Sequence, residues 1–88
     1  MEVINWISVE ESLPQKAGWY LAAINPVNYD KSDIDSINTW RKQFGCTIAW
    51  FNPDAIGKWY EPYPHGHGCM DVGERVTHWA ELPKVPLL

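Results

Sequence analysis

Apolar positions along the 88-residue chain change period several times, and each change marks an element. Between Gly18 and Asn25-Pro26 the run Trp19-Tyr20-Leu21-Ala22-Ala23-Ile24 has strand length. Trp19, Leu21 and Ala23 share one face of it, and Tyr20, Ala22 and Ile24 share the other. Both faces are apolar, which predicts a central strand covered on one side by a helix and on the other by the terminal segments. After the polar stretch 26–31 the period switches: Ile34, Ile37, Trp40 and Phe44 recur at helical spacings. Ser32 or Asp33 can cap that helix, Asp33 and Asp35 fall in its first turn, Arg41 and Lys42 in its last, and Gly45 stands where a left-handed C-terminal residue belongs. The pattern predicts a helix over 33–44 that lays Ile37, Trp40 and Phe44 on a sheet.

Cys46-Thr47-Ile48-Ala49-Trp50-Phe51 reads as a second strand, Asn52-Pro53-Asp54 as a turn and Gly57 to Pro62 as a third strand, the two strands joined as an antiparallel hairpin. Pro62 to Gly73 is rich in proline and glycine and poor in aliphatic residues, and reads as a loop. Arg75 to Trp79 closes the sheet, and the proline-bearing tail from Leu82 to Pro86 stays out of a central ladder. At the other end Trp6-Ile7-Ser8-Val9 leads into a single helical turn, where Ser8 and Glu11 fit a capping box before Pro14 stops it. The opening stretch has to meet Val76-Thr77-His78-Trp79 in space, because a chain this short builds one core. The expected architecture is one α+β domain spanning residues 1–88, a small antiparallel sheet of three to four strands with one helix packed on a face.

Composition sharpens this. Six tryptophans, four tyrosines and two phenylalanines enlarge a small core, since each buried aromatic removes roughly 150–250 Å² from water. Trp6, Trp19, Trp50 and Trp79 occupy alternating strand positions and read as core. Trp59, Tyr60 and Tyr63 are less easily buried, and beside a loop they have the composition of a contact surface. A formal charge of −4, with no basic run longer than Arg41-Lys42, argues against direct nucleic-acid binding. No segment reaches membrane-spanning length, and Met1 to Asn5 carries no secretory pattern, so a bacterial cytoplasmic setting and reduced thiols at Cys46 and Cys69 are expected.

Candidate chemistry is sparse. His65, His67 and Cys69 offer possible zinc ligands at every second residue, with Cys46 or His78 as a fourth, yet the spacing is unlike the two-residue gap of zinc knuckles, and an exposed glycine-rich turn explains it better. A thiolate at Cys46 or Cys69 activated by His78 lacks an orienting third group. Glu10-Glu11 and Asp33-x-Asp35 are accounted for by helix starts, and His78 by a structural role between strands. No metal, no catalytic residue and no cofactor is assigned.

The ordered motifs Trp6-Ile7-Ser8-Val9, Leu13-Pro14, Gly18-Trp19-Tyr20-Leu21, Ile48-Ala49-Trp50-Phe51, Lys58-Trp59-Tyr60, Val76-Thr77-His78-Trp79 and Leu82-Pro83 resemble the phage and prophage domain of unknown function numbered 551. The segment from Asn28 to Gly45 and the loop from His65 to Cys69 depart from its shorter form. The resemblance implies a small accessory protein of a phage or prophage, made in the host cytoplasm and without enzymatic activity. The expected function is interference with a host factor, most plausibly an anti-defence inhibition, through a protein partner contacted by Trp59, Tyr60, Tyr63, His65 and His67. The alternative is an oligomeric binder that sequesters a nucleotide signal, stacking its base on an aromatic and pairing its phosphate with Lys58, Arg75 or a loop N–H. A zinc-binding protein is a further alternative.

Overall fold

Strand alternation from Gly18 to Ile24 sets the frame, because the residues facing inward there find cross-strand partners on both sides. The computed structural model of the chain describes residues 4–55, 58–62, 68–83 and 86. In chain order these form β1 (Ile7–Ser8), β2 (Gly18–Ile24), α1 (Ile34–Phe44), β3 (Cys46–Phe51), β4 (Trp59–Pro62), β5 (Cys69–Asp71) and β6 (Val76–Ala80). The described strands make one six-stranded sheet in the order β1-β6-β2-β3-β4-β5, every neighbouring pair antiparallel. No described helix is long and apolar enough to cross a membrane.

The α+β class is as expected, and the strand count is larger than the three to four expected. The extra strands are the edges. β1 is two residues long and β5 three, too short to show a period in sequence. β5 lies inside the stretch that reads as a loop. It is held by its pairing of Met70 with Glu61 on β4, and Val72 N–H donates to the Trp59 carbonyl at 2.9 Å just beyond it. The opening and closing motifs do meet: Ile7 pairs with Trp79 and Ser8 with His78.

The core lies on one face of the sheet. Ala22 and Ile24 of β2, Ala49 and Phe51 of β3, Trp59 of β4 and Trp79 of β6 are buried together with Val72 and Val76. Tyr20 stands between two indoles, edge-on to Trp79 at 5.4 Å and to Trp59 at 6.3 Å, while Phe51 packs on Trp59 at 4.8 Å. The polar ends of these aromatics are served: Trp79 Nε1 donates to the Ser12 carbonyl at 2.8 Å and the Tyr20 hydroxyl to the Lys16 carbonyl at 3.0 Å. Among the described residues no buried side-chain polar atom lacks a partner.

α1 begins where its cap predicts, with Ser36 N–H donating to Asp33 Oδ1 at 3.1 Å. Ile37 is buried and Trp40 packs against the core, but Phe44 is 59% exposed and leans on Trp40 instead of the sheet. Gly45 is also not the left-handed residue expected. Its φ of −78° is ordinary, and glycine is required by proximity, since a Cβ there would stand 2.6 Å from the Arg41 carbonyl oxygen. The turn after Ser8 forms as one helical turn, with Glu11 and Ser12 N–H donating to the Ser8 carbonyl. The capping box itself does not form, because Ser8 is a strand residue whose hydroxyl accepts from Glu10 N–H at 3.3 Å.

A polar clasp joins the helix to β6. A register shift between Ala23 and Ile24 leaves Thr77 unpaired on β6, and its hydroxyl accepts from Arg41 Nη2 at 3.0 Å. Arg41 Nη1 donates to Asn25 Oδ1 at 2.6 Å and Arg75 Nε to the Asn25 carbonyl at 2.8 Å, with the Arg75 guanidinium over the Trp40 ring at 6.0 Å. His78 Nδ1 lies 2.9 Å from the same Thr77 hydroxyl.

The β3–β4 hairpin pairs Trp50 with Tyr60 and Phe51 with Trp59, and Asn52 N–H donates to the Lys58 carbonyl at 2.8 Å. Lys58 has a φ of 69°, a conformation that costs a side-chain-bearing residue roughly 1–2 kcal/mol. Lys58→Gly removes that strain against a smaller entropic cost, and a stabilisation of about 0.5–1 kcal/mol is expected. A urea titration reads it as a raised midpoint at unchanged slope; a lowered midpoint would show that Lys58 is not strained.

Candidate binding surface

Cross-strand registers assign every strand residue to a face, and the face opposite the core is open over β2 and β3, whereas on β6 Ala80, opposite Leu21, is buried. Along it run three rows. Trp19 of β2 pairs with Trp50 of β3, which pairs with Tyr60 of β4; Leu21 pairs with Ile48; and Ala23 pairs with Cys46. Trp19 is 47% exposed and Ile48 50%, while Leu21, Trp50 and Tyr60 are half-buried. The two indoles of the first row pack edge to face with ring centres 5.4 Å apart, so each restricts the other's rotamers. Trp19, with Leu21 and Ala23, was expected under cover, because both faces of β2 are apolar. One helix covers one face, and α1 sets Trp40 against the core side.

The tryptophans therefore exchange roles. Of those that read as core, Trp79 is buried, Trp6 and Trp19 are exposed and Trp50 is half-buried. Trp59, which reads as surface, is 3% exposed and sits at the centre of the core. Its ring is therefore not available as the contact surface expected of it. The cause is register: Trp59 pairs with Phe51 on the core face, which turns its neighbour Tyr60 to the open face. Tyr63, His65 and His67 lie outside the described residues. Cys69 is an exposed free thiol on β5.

Other candidate chemistry is dispersed by the fold. Cys46 and His78 both pair with Ala23 from opposite sides, which separates their backbones by two strand spacings, roughly 10 Å. Cys69 and His78 are farther apart, with β2, β3 and β4 between their strands. Neither thiol has His78 within hydrogen-bond reach as a base. Among the described residues no group of three or more His, Cys, Asp or Glu side chains is placed to hold a metal; of the zinc candidates, His65 and His67 are outside them. Lys58 and Arg75 stand at opposite ends of β2, about 20 Å apart, and cannot hold one phosphate. Arg75 does share a shallow depression with Tyr29 and Lys31, which Glu74 also lines. Asp30 beside it has its carboxyl below the usual range, because the Ser32 hydroxyl and then the Ser32 N–H donate to it at 2.7 and 2.9 Å.

Fold and surface together define a small α+β domain whose sheet has a packed face and an open apolar one. The chain belongs to the family described as protein of unknown function (DUF551), whose model matches residues 5–87. No curated protein and no solved structure matches the chain. Within the matched residues, Trp6-Ile7-Ser8-Val9 and Val76-Thr77-His78-Trp79, far apart in sequence, meet as the paired strands β1 and β6.

Proposed function

We propose that the chain is a non-enzymatic accessory protein of a phage or prophage that acts in the bacterial cytoplasm by binding a host protein, most plausibly to inhibit a defence system. The observation that carries the binding reading is the open face. Large apolar side chains spread across neighbouring strands form the kind of patch that monomeric proteins keep small unless a partner covers it. Paired tryptophans supply large contact area with little rotamer entropy to lose. The phage setting and the defence target rest on the family resemblance alone.

The test is a pull-down from infected or lysogenic cells with the wild type, a Trp19→Lys/Ile48→Lys variant and a Val27→Lys control at an exposed site off the sheet. A host protein retained by wild type and control and lost from the double variant is the expected result. Identical partner lists for all three would sink the surface. A nucleotide binder is the second reading, favoured by Tyr29, Lys31 and Arg75 lining one depression. A thermal-shift panel of cyclic and linear nucleotides with no shift above about 1 °C, at most a quarter of the 4–8 °C that 1 kcal/mol of binding stabilisation produces in a domain this size, counts against it.

A further inference from the structure

We infer that a second copy of this chain covers the open face, sheet on sheet about a two-fold axis that crosses the strands along the Leu21–Ile48 row. The inference rests on the reading of that face as a protein-binding surface, and the second copy occupies it until the host protein displaces it.

The first argument is shape. Side-chain bulk falls steadily along the strands, from Trp19–Trp50 at one end through Leu21–Ile48 to Ala23–Cys46 at the other. A two-fold axis across the strands at the middle row reverses this gradient in the partner. Each copy's tryptophan pair then lies over the other's alanine and cysteine, and the middle rows meet each other. A ridge and a hollow related by one rotation are the requirement of an isologous interface, in which the same patch serves both partners. Face-to-face sheets pack about 10 Å apart, a gap that interdigitated side chains of this size fill.

Charge gives the second argument. Among the described residues of β6, β2, β3 and β4 the open face carries no Lys, Arg, Asp or Glu, and Asp71 of the outermost strand β5 faces this way opposite Tyr60. A nucleic acid finds no cation among these strand residues, and a basic protein finds one anion, Asp71, at the rim. Two copies with a net charge of −4 each repel elsewhere, and this face lets them approach without setting like charges together.

Area is the third. Trp19 and Ile48 are 47% and 50% exposed on this face, and a standard interface removes about 800 Å² from each partner. The face supplies roughly half the twenty to thirty residues a side of such an interface, so the dimer belongs to the weak class, dissociating in the micromolar range.

Sedimentation equilibrium from about 1 to 300 µM, a range chosen to bracket a micromolar dissociation constant, tests this. The expected mass rises toward twice 10.1 kDa for wild type and for Val27→Lys. Ile48→Lys places a charge at the axis, and Cys46→Trp fills the hollow from an exposed strand position that the monomer's core does not use. Each is expected to weaken association at least about tenfold while far-UV circular dichroism and the melting temperature stay within about 4 °C of wild type, the shift that roughly 1 kcal/mol produces. A wild type that stays at the monomer mass throughout, or a dimer that both variants leave intact, overturns the inference. Monomeric wild type together with loss of the host protein from the Trp19→Lys/Ile48→Lys pull-down overturns the dimer and keeps the binding reading. A dimer disrupted by both variants, with unchanged pull-down lists, does the reverse.

Discussion

Trp59→Ala is expected to lower the melting temperature by at least about 12 °C. The indole is 3% exposed and touches Phe51 and Tyr20 across the middle of the core, so its truncation leaves a cavity that neighbouring rings cannot close without breaking their own contacts. Trp→Ala changes in such settings cost about 3–5 kcal/mol, and in a domain of this length each kcal/mol moves the melting temperature by about 4–8 °C. Total stability for a chain of this size is about 4–13 kcal/mol, so the variant can lose its native state at 37 °C. Near-ultraviolet circular dichroism against temperature measures it. Tyr60→Ala, one residue on and facing the other way, is expected to cost about 1 kcal/mol. Equal shifts in the two variants would place Trp59 at the surface after all. A binding assay on Trp59→Ala reports unfolding rather than contact, and Trp19 and Ile48 are the positions to probe for a partner.

Gly45→Ala is expected to destabilise the domain by about 2–3 kcal/mol, which is large for the addition of one methyl group. The new Cβ would stand 2.6 Å from the Arg41 carbonyl oxygen and 2.7 Å from its Cα, and both atoms belong to backbone that a rotamer change cannot move. Relief requires the last turn of α1 to shift, and that turn carries Arg41, whose guanidinium spans Asn25 and Thr77. The Gly45 carbonyl also accepts from Ile24 N–H at 2.8 Å, so the strain reaches β2. Urea unfolding provides the number. A loss below about 0.5 kcal/mol, the ordinary range for a surface change, would mean that the close approach relaxes freely.

Elements with a full period were legible: the four residues Ile34, Ile37, Trp40 and Phe44 mark α1, and the run from Trp19 to Ile24 marks the central strand. What sequence leaves open is orientation. Trp59-Tyr60 alternates correctly, but a four-residue strand does not reveal which member faces the core, and the answer comes from pairing with Phe51. The open face was also partly legible, because β2 and β3 carry apolar residues on both sides while the chain supplies one helix. Counting covering elements against apolar faces would have found Trp19, Ile48 and Trp50 as surface. The clasp of Arg41, Asn25 and Thr77 was not legible at all, since it depends on a register shift between strands distant in sequence.

The position of β6 between β1 and β2 has a consequence for how the chain is made. β2, β3 and β4 are neighbours in sequence as well as in the sheet, so they can zip together as they leave the ribosome. β1 is synthesised first and has β6 as its partner among the described strands, so Ile7 waits for Trp79. Until then Trp6 and Ile7 stay unpaired beside a half-built sheet whose tryptophans are uncovered on both faces, a sticky nascent state for which early engagement by a chaperone is the remedy.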